Sequence, residues 1–196
     1  FIAKENFKNQ KKFLKSMKSF KKKKILFLKK NTSGQASTIF KAKNLINNNE
    51  IVIIHSCDLN FNFNLSELAK KIKIFDILIF TSNSNKFQKL HQKEFSWVRK
   101  IVNTNEVEIS CKKKFKNSKI NNRVLVGSFV FRNKQILINS INLIFKKKLK
   151  IKNEYYLDMA AAKSKLLGYK VGEILVKDYT SWGSFNELTN YKNLKK

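Results

Sequence analysis

The sequence predicts an α/β fold, a three-layer α/β/α sandwich around a mostly parallel mixed sheet. Three observations point to it. Short runs of β-branched and apolar residues recur at 25–28 (ILFL), 51–54 (IVII) and 77–80 (ILIF). The segments between them carry apolar residues at helical spacing, as at Ala36, Ile39, Phe40, Ala42, Leu45 and Ile46. The resulting β-α-β-α-β order is the pattern of a parallel sheet covered by helices on both faces.

Each element has its own warrant. The run at 51–54 is short and apolar throughout, which suits a strand buried on both faces. Residues 65–72 follow as a helix, and 77–80 as a second buried strand. The second half predicts longer strands at 106–111 and 124–131, the latter interrupted by Gly127. A helix is expected over 134–148, with Ile138, Ile141, Leu143, Ile144 and Phe145 at helical spacing. A second helix over 155–167 would close on Gly168 in the left-handed conformation. A strand returns at 170–176. Ser184 and Glu187 then have the S-x-x-E spacing of a capping box that opens a last helix. The basic tract 8–24 reads as surface helix or loop. No internal repeat or Gly/Ser-rich linker divides the 196 residues, so a single domain spanning 1–196 is expected.

Composition narrows the function classes. Forty-two Lys and Arg stand against 13 Asp and Glu, a formal charge of +29, which by itself points to a polyanionic partner. The excess is nearly all Lys, accompanied by many Asn, Ile and Phe and by no Pro. A/T-rich codons specify that set, so drift in base composition produces it without selection for nucleic acid. Two cysteines, Cys57 and Cys111, form no CxxC pair and suit a reducing, cytoplasmic setting. No apolar run approaches the roughly 18 residues needed to span a bilayer. The opening FIAKENF has neither an initiator Met nor signal-peptide architecture.

Several sites could carry chemistry. Gly34 and Gln35 lie in TSGQAST between a strand and a helix, where backbone can approach a ligand and helix N–H groups are unpaired. The Gln35 amide can read a base edge; an ordinary capped turn is the alternative. Asp58 ends the run HSCD beyond a strand, where ligands of open α/β sheets bind and where a carboxylate can hold Mg²⁺. It also suits a simple turn cap. His55 reads as a rim or core histidine, and Cys57 as a small packed apolar residue. Lys112, in the run CKKK, can neutralise a phosphate. Glu154 and Asp158 stand at a helix start, where the dipole favours acids in any case. Trp182 would line a pocket or seal the core.

Taken in order, Gly34-Gln35-Ala36, HSCD at Asp58, DILIF, CKKK, VGSFVF, NEYYLD, LGYKV and SWGSFNEL resemble the sugar-phosphate nucleotidyltransferases, the family of glucose-1-phosphate thymidylyltransferase. The resemblance covers nearly the whole chain. It implies a nucleotide-diphospho-sugar transferase (Rossmann-like) fold. It also implies transfer of a nucleoside monophosphate from a nucleoside triphosphate to a sugar 1-phosphate, with release of pyrophosphate, in nucleotide-sugar or surface-polysaccharide synthesis. By the same resemblance Gly34 and Gln35 would face the nucleobase, and Asp58 would bind Mg²⁺ beside the phosphates. Lys112 would contact the sugar phosphate, Gly127 would leave room for the sugar, and Glu154 would bond its hydroxyls.

The chain departs from that pattern in three places. It lacks the first strand and Gly-rich loop that grip the triphosphate in such enzymes, which would leave a sheet edge unpaired. Cys111 replaces an acid before the lysine, and Ser181 stands near the place of a second metal-binding Asp, with Asp178 close by. A glycosyltransferase of the same fold, using a finished sugar nucleotide, is one competing reading; a basic nucleic-acid-binding protein is another.

Overall fold

The computed structural model describes residues 1–5, 8–115 and 122–194. A short parallel pair, β1 (Ile2–Lys4) and β2 (Leu26–Leu28), brackets helix α1 (Gln10–Ser16). There follow α2 (Gln35–Lys41), β3 (Val52–Ile54), β4 (Leu59–Asn62), α3 (Leu65–Lys71), β5 (Ile77–Asn83) and α4 (Lys86–Leu90). The second half contains β6 (Trp97–Lys100), β7 (Val107–Ser110), β8 (Arg123–Phe131), α5 (Lys134–Lys146) and α6 (Leu157–Lys163). The last elements are β9 (Val171–Leu175), β10 (Lys177–Ser181) and α7 (Phe185–Leu194).

The main sheet runs β7-β6-β8-β5-β9, and β3 also pairs with β8. Strands β3, β5, β6 and β9 share one direction, while β8 runs against them through the centre. Ladders beside β8 are therefore antiparallel, and β5 with β9 forms the parallel pair. The α/β class and the mixed sheet agree with the expectation. Placing the reversed strand centrally is what periodicity alone does not reveal, since a buried strand reads the same in either direction.

Alternation along β5 creates two faces. Ile77 and Ile79 join Ile136, Leu137, Ile141 and Ile144 of α5, together with α2 and α6, in one cluster. Leu78 and Phe80 point the other way, onto Leu68, Ile72 and Phe75 around α3. This is the three-layer arrangement, with helices on both sides of one sheet. Full burial of each such Leu, Ile or Phe contributes about 1.5–3 kcal/mol. Strand β3 uses one edge for β8 and has no second strand partner among the described residues; Ile53 in it is 53% exposed.

Two local departures from regularity shape the site. Opposite Phe80, strand β8 carries Val126, Gly127 and Ser128 between the pairs Ile79–Phe129 and Thr81–Leu125. This bulge holds two extra residues, an even number, so inward and outward alternation resumes unchanged beyond it. Gly127 sits there at φ 84°, in the left-handed region. The expected helix over 155–167 begins only at Leu157 and tightens to a 3₁₀ turn at Ser164–Leu167. Its first two residues are diverted, because the Tyr155 N–H donates to the Ser33 carbonyl and the Tyr155 carbonyl accepts from the Ala36 N–H. Gly168 closes the segment at φ 79°, as predicted.

Candidate functional site

Of the six residues given a role by the family resemblance, five meet on one cavity of about 830 Å³: Gln35, Asp58, Lys112, Gly127 and Glu154. They come from five separated segments. Gln35 opens α2, and its amide N–H donates to Ser56 Oγ over 3.4 Å. The Ser56 hydroxyl in turn donates to the Gly127 carbonyl at 3.4 Å. The turn before α2, the end of β3 and the bulge of β8 are thereby tied into one wall.

Gly34, the sixth, does not line the cavity. Its φ of 101° lets the turn press against the segment before α6, where an added Cβ would stand 2.7 Å from the Tyr155 carbonyl oxygen and 2.8 Å from its nitrogen. The need for glycine is met within the protein, by backbone packed on backbone.

Asp58 lies exposed between β3 and β4, its carbonyl accepting from the Trp182 N–H at 2.8 Å. That bond draws the 182–184 turn alongside, where Gly183 leaves a cradle. A Cβ on Gly183 would stand 2.7 Å from Asp58 Oδ2 and 3.6 Å from Glu187 Oε2. Two carboxylates thus flank a space that any side chain on Gly183 would fill. No group of three or more His, Cys, Asp and Glu that could hold a metal occurs among the described residues. One or two carboxylates, with phosphate oxygens and water completing the shell, is the donor set that Mg²⁺ favours. Asp58 and Glu187 fit such an ion. Asp178 does not share the cradle; its carboxylate accepts from the Asn62 amide at 2.9 Å.

Lys112 follows β7 with φ 52°, a left-handed backbone on a non-glycine residue. Its N–H donates to Ser96 Oγ at 3.1 Å and its ammonium to the Glu94 carbonyl at 2.8 Å, with the Tyr156 ring 5.2 Å away. Glu154 closes a two-residue turn, with Lys152 and Asn153 both at positive φ and paired backbone bonds between Ile151 and Glu154. Positive φ at both central residues is the geometry of a type I′ hairpin turn. It brings Lys152 and Glu154 to the same rim. Burial pushes the Tyr156 phenol up to about 12, followed by its hydrogen bond to Glu154 and the charges of Glu154 and Asp158.

The remaining candidates sort themselves by geometry. His55 is exposed and is not among the cavity-lining residues; its Nδ1 bonds to Ser128 Oγ at 3.0 Å. Cys57 is exposed, which corrects the packed role expected of it; the loop that presents Asp58 turns the thiol outward. Trp182 packs edge-on against Tyr191 at 5.5 Å and does not line the cavity. Ser184 caps α7 as predicted, its Oγ accepting from the Glu187 N–H at 3.2 Å. Glu94, Ser96, Lys152 and the cradle role of Glu187 were not legible, because no spacing rule links 94–96 to 112 or 187 to 58.

The three-layer core, the bulged central strand and a cavity at the strand ends define the class: a mixed-sheet, three-layer α/β fold. Solved structures place the chain with that class. A nucleoside-diphosphate-sugar pyrophosphorylase from Vibrio cholerae superposes with a TM-score of 0.73 at 16% identity, over 98% of this chain and 79% of that one. The inositol-1-phosphate CTP transferase of T. maritima gives 0.64 at 18% identity, over 100% and 74%. A Bacillus anthracis protein assigned as a glucose-1-phosphate thymidylyltransferase, solved with sucrose, gives 0.66 at 15% identity, over 98% and 74%. At these identities the likeness establishes the fold. No protein-family model and no curated protein matches the chain. No helix among the described residues is long and apolar enough to cross a membrane.

Proposed function

We propose that this chain is a sugar-1-phosphate nucleotidyltransferase, acting on a nucleoside triphosphate and a sugar 1-phosphate. One observation carries the reading: five residues named from sequence order converge on a single cavity in a fold shared with enzymes of nucleotide transfer. In the reaction an oxygen of the sugar phosphate attacks the α-phosphorus. The new P–O bond forms as the bond to the leaving pyrophosphate breaks. No protein nucleophile enters that balance, so the chain contributes positioning and charge.

Within this reading Gln35 addresses the base with an amide that both donates and accepts. Gly34 sets the turn that holds Gln35 in place. Asp58 and Glu187 hold Mg²⁺, which supplies charge neutralisation at the phosphates. The Lys112 ammonium faces the sugar phosphate, and Glu154 accepts hydrogen bonds from sugar hydroxyls. Gly127, without a side chain, keeps the floor of the cavity open.

The test follows pyrophosphate release from the full chain with Mg²⁺, a panel of sugar 1-phosphates and each nucleoside triphosphate. Release is expected with a particular pair, falling roughly 10²–10³-fold in Asp58→Asn, the scale seen when one charge-stabilising group is removed. Absence of release with every pair overturns the proposal.

A further inference from the structure

We infer that Ser96 and Asp158 are positioning residues for Lys112, fixing where the cavity's phosphate-facing ammonium stands. This rests on the nucleotidyltransferase reading and adds to it two residues on the same cavity wall that act through the lysine.

Asp158, on the first turn of α6, is 6% exposed, and each of its carboxylate oxygens is hydrogen-bonded. Oδ1 accepts from the Met159 N–H at 3.0 Å, and Oδ2 accepts a hydrogen bond from the Ser96 hydroxyl. A serine has one proton to give. With that proton committed to Asp158, the lone pairs of Ser96 Oγ are left to receive the Lys112 N–H. The chain of bonds therefore has a direction: carboxylate, hydroxyl, amide. It pins the backbone of Lys112 in a left-handed conformation that a lysine rarely adopts unaided.

The side chain of Lys112 is caught by the same stretch, through the Glu94 carbonyl. An ammonium carries three donors, so two remain to face the cavity. Main chain and side chain are thus clamped two residues apart on one strand entry, and that entry is fastened to α6 through Asp158. Burial raises the Asp158 carboxyl above the usual range, while the Ser96 bond and the Lys112 charge act in the opposite sense. One Asp158 oxygen is held by its own helix, through the Met159 N–H, and the other by Ser96, which leads to the lysine.

The experiment compares Ser96→Ala and Asp158→Asn with the unaltered full chain by steady-state pyrophosphate release and thermal melting. Asp158→Asn keeps shape but can turn an N–H toward Ser96, which removes the acceptor of the hydroxyl proton and frees the hydroxyl from its fixed direction. A rise of about tenfold or more in KM for sugar 1-phosphate, with KM for the nucleoside triphosphate and the melting temperature nearly unchanged, is the expected result. An unchanged KM for sugar 1-phosphate in Ser96→Ala overturns the inference. So does a parallel loss of both substrates with a lowered melting temperature, which marks a general structural role. If Asp158→Asn does not fold, Ser96→Ala decides alone. An unaltered chain that releases no pyrophosphate sinks the parent reading instead, a failure distinct from the other two.

Discussion

At Gly34 the backbone runs at φ 101° with the Tyr155 peptide where a side chain would be. At Gly168 the backbone is also left-handed, φ 79°, but nothing lies within 4 Å of an added Cβ. The pair separates conformational cost from steric cost. Gly168→Ala should destabilise by about 1 kcal/mol, and Gly34→Ala by roughly 3 kcal/mol, read from urea midpoints. At this scale the sequence was informative about which residues matter and poor about why. Gly34 and Asp58 were picked out as turn residues beyond strands, and both positions are special. The physical demand at Gly34 comes from residue 155, which no local window contains. Asp158 reads from the sequence only as an acid at a helix start, and Ser96 before a tryptophan carries no pattern, because the two partners lie 62 residues apart.

Helix starts show how a skewed composition still finds structural use. Asn64, Asn85 and Asn133 cap α3, α4 and α5, each accepting from a backbone N–H three residues on, and at Asn85 a full capping box forms with Gln88. An abundance of asparagine is therefore no handicap at positions that favour it. Asn133→Ala should cost about 1 kcal/mol in the urea midpoint, since Asn133 satisfies the Ile136 N–H at the head of the 13-residue helix α5. Strong, long periods such as α5 and β8 were readable. Strands β4 and β6, of four residues each, and helix α4, of five, were not; too few residues are present to express a period. Strand β10 has a single apolar contact, Tyr179 against the core, in an otherwise polar stretch, too little to declare a strand.

Across the whole molecule, a formal charge of +29 opposes compaction. Salt should therefore stabilise the fold. Raising NaCl from 10 mM to 300 mM screens those repulsions, and each 1 kcal/mol relieved lifts the melting temperature by about 2–4 °C in a chain of this size. A melting temperature that falls with salt would show that local ion pairs, such as Arg123 with Glu173 at 2.5 Å, outweigh the global field. The class of fold was legible because helix and strand periods alternate along the chain; the reversed central strand was not, since direction leaves no mark on hydrophobicity. The bulge in that strand also limits how its length can change. Because its two surplus residues keep parity, losing both would leave Phe129 and Phe131 facing α5, whereas losing one would turn them to the opposite face. Length variation at 126–128 is thus quantised in steps of two: single insertions and deletions there break the core, and paired ones merely resize the chamber floor.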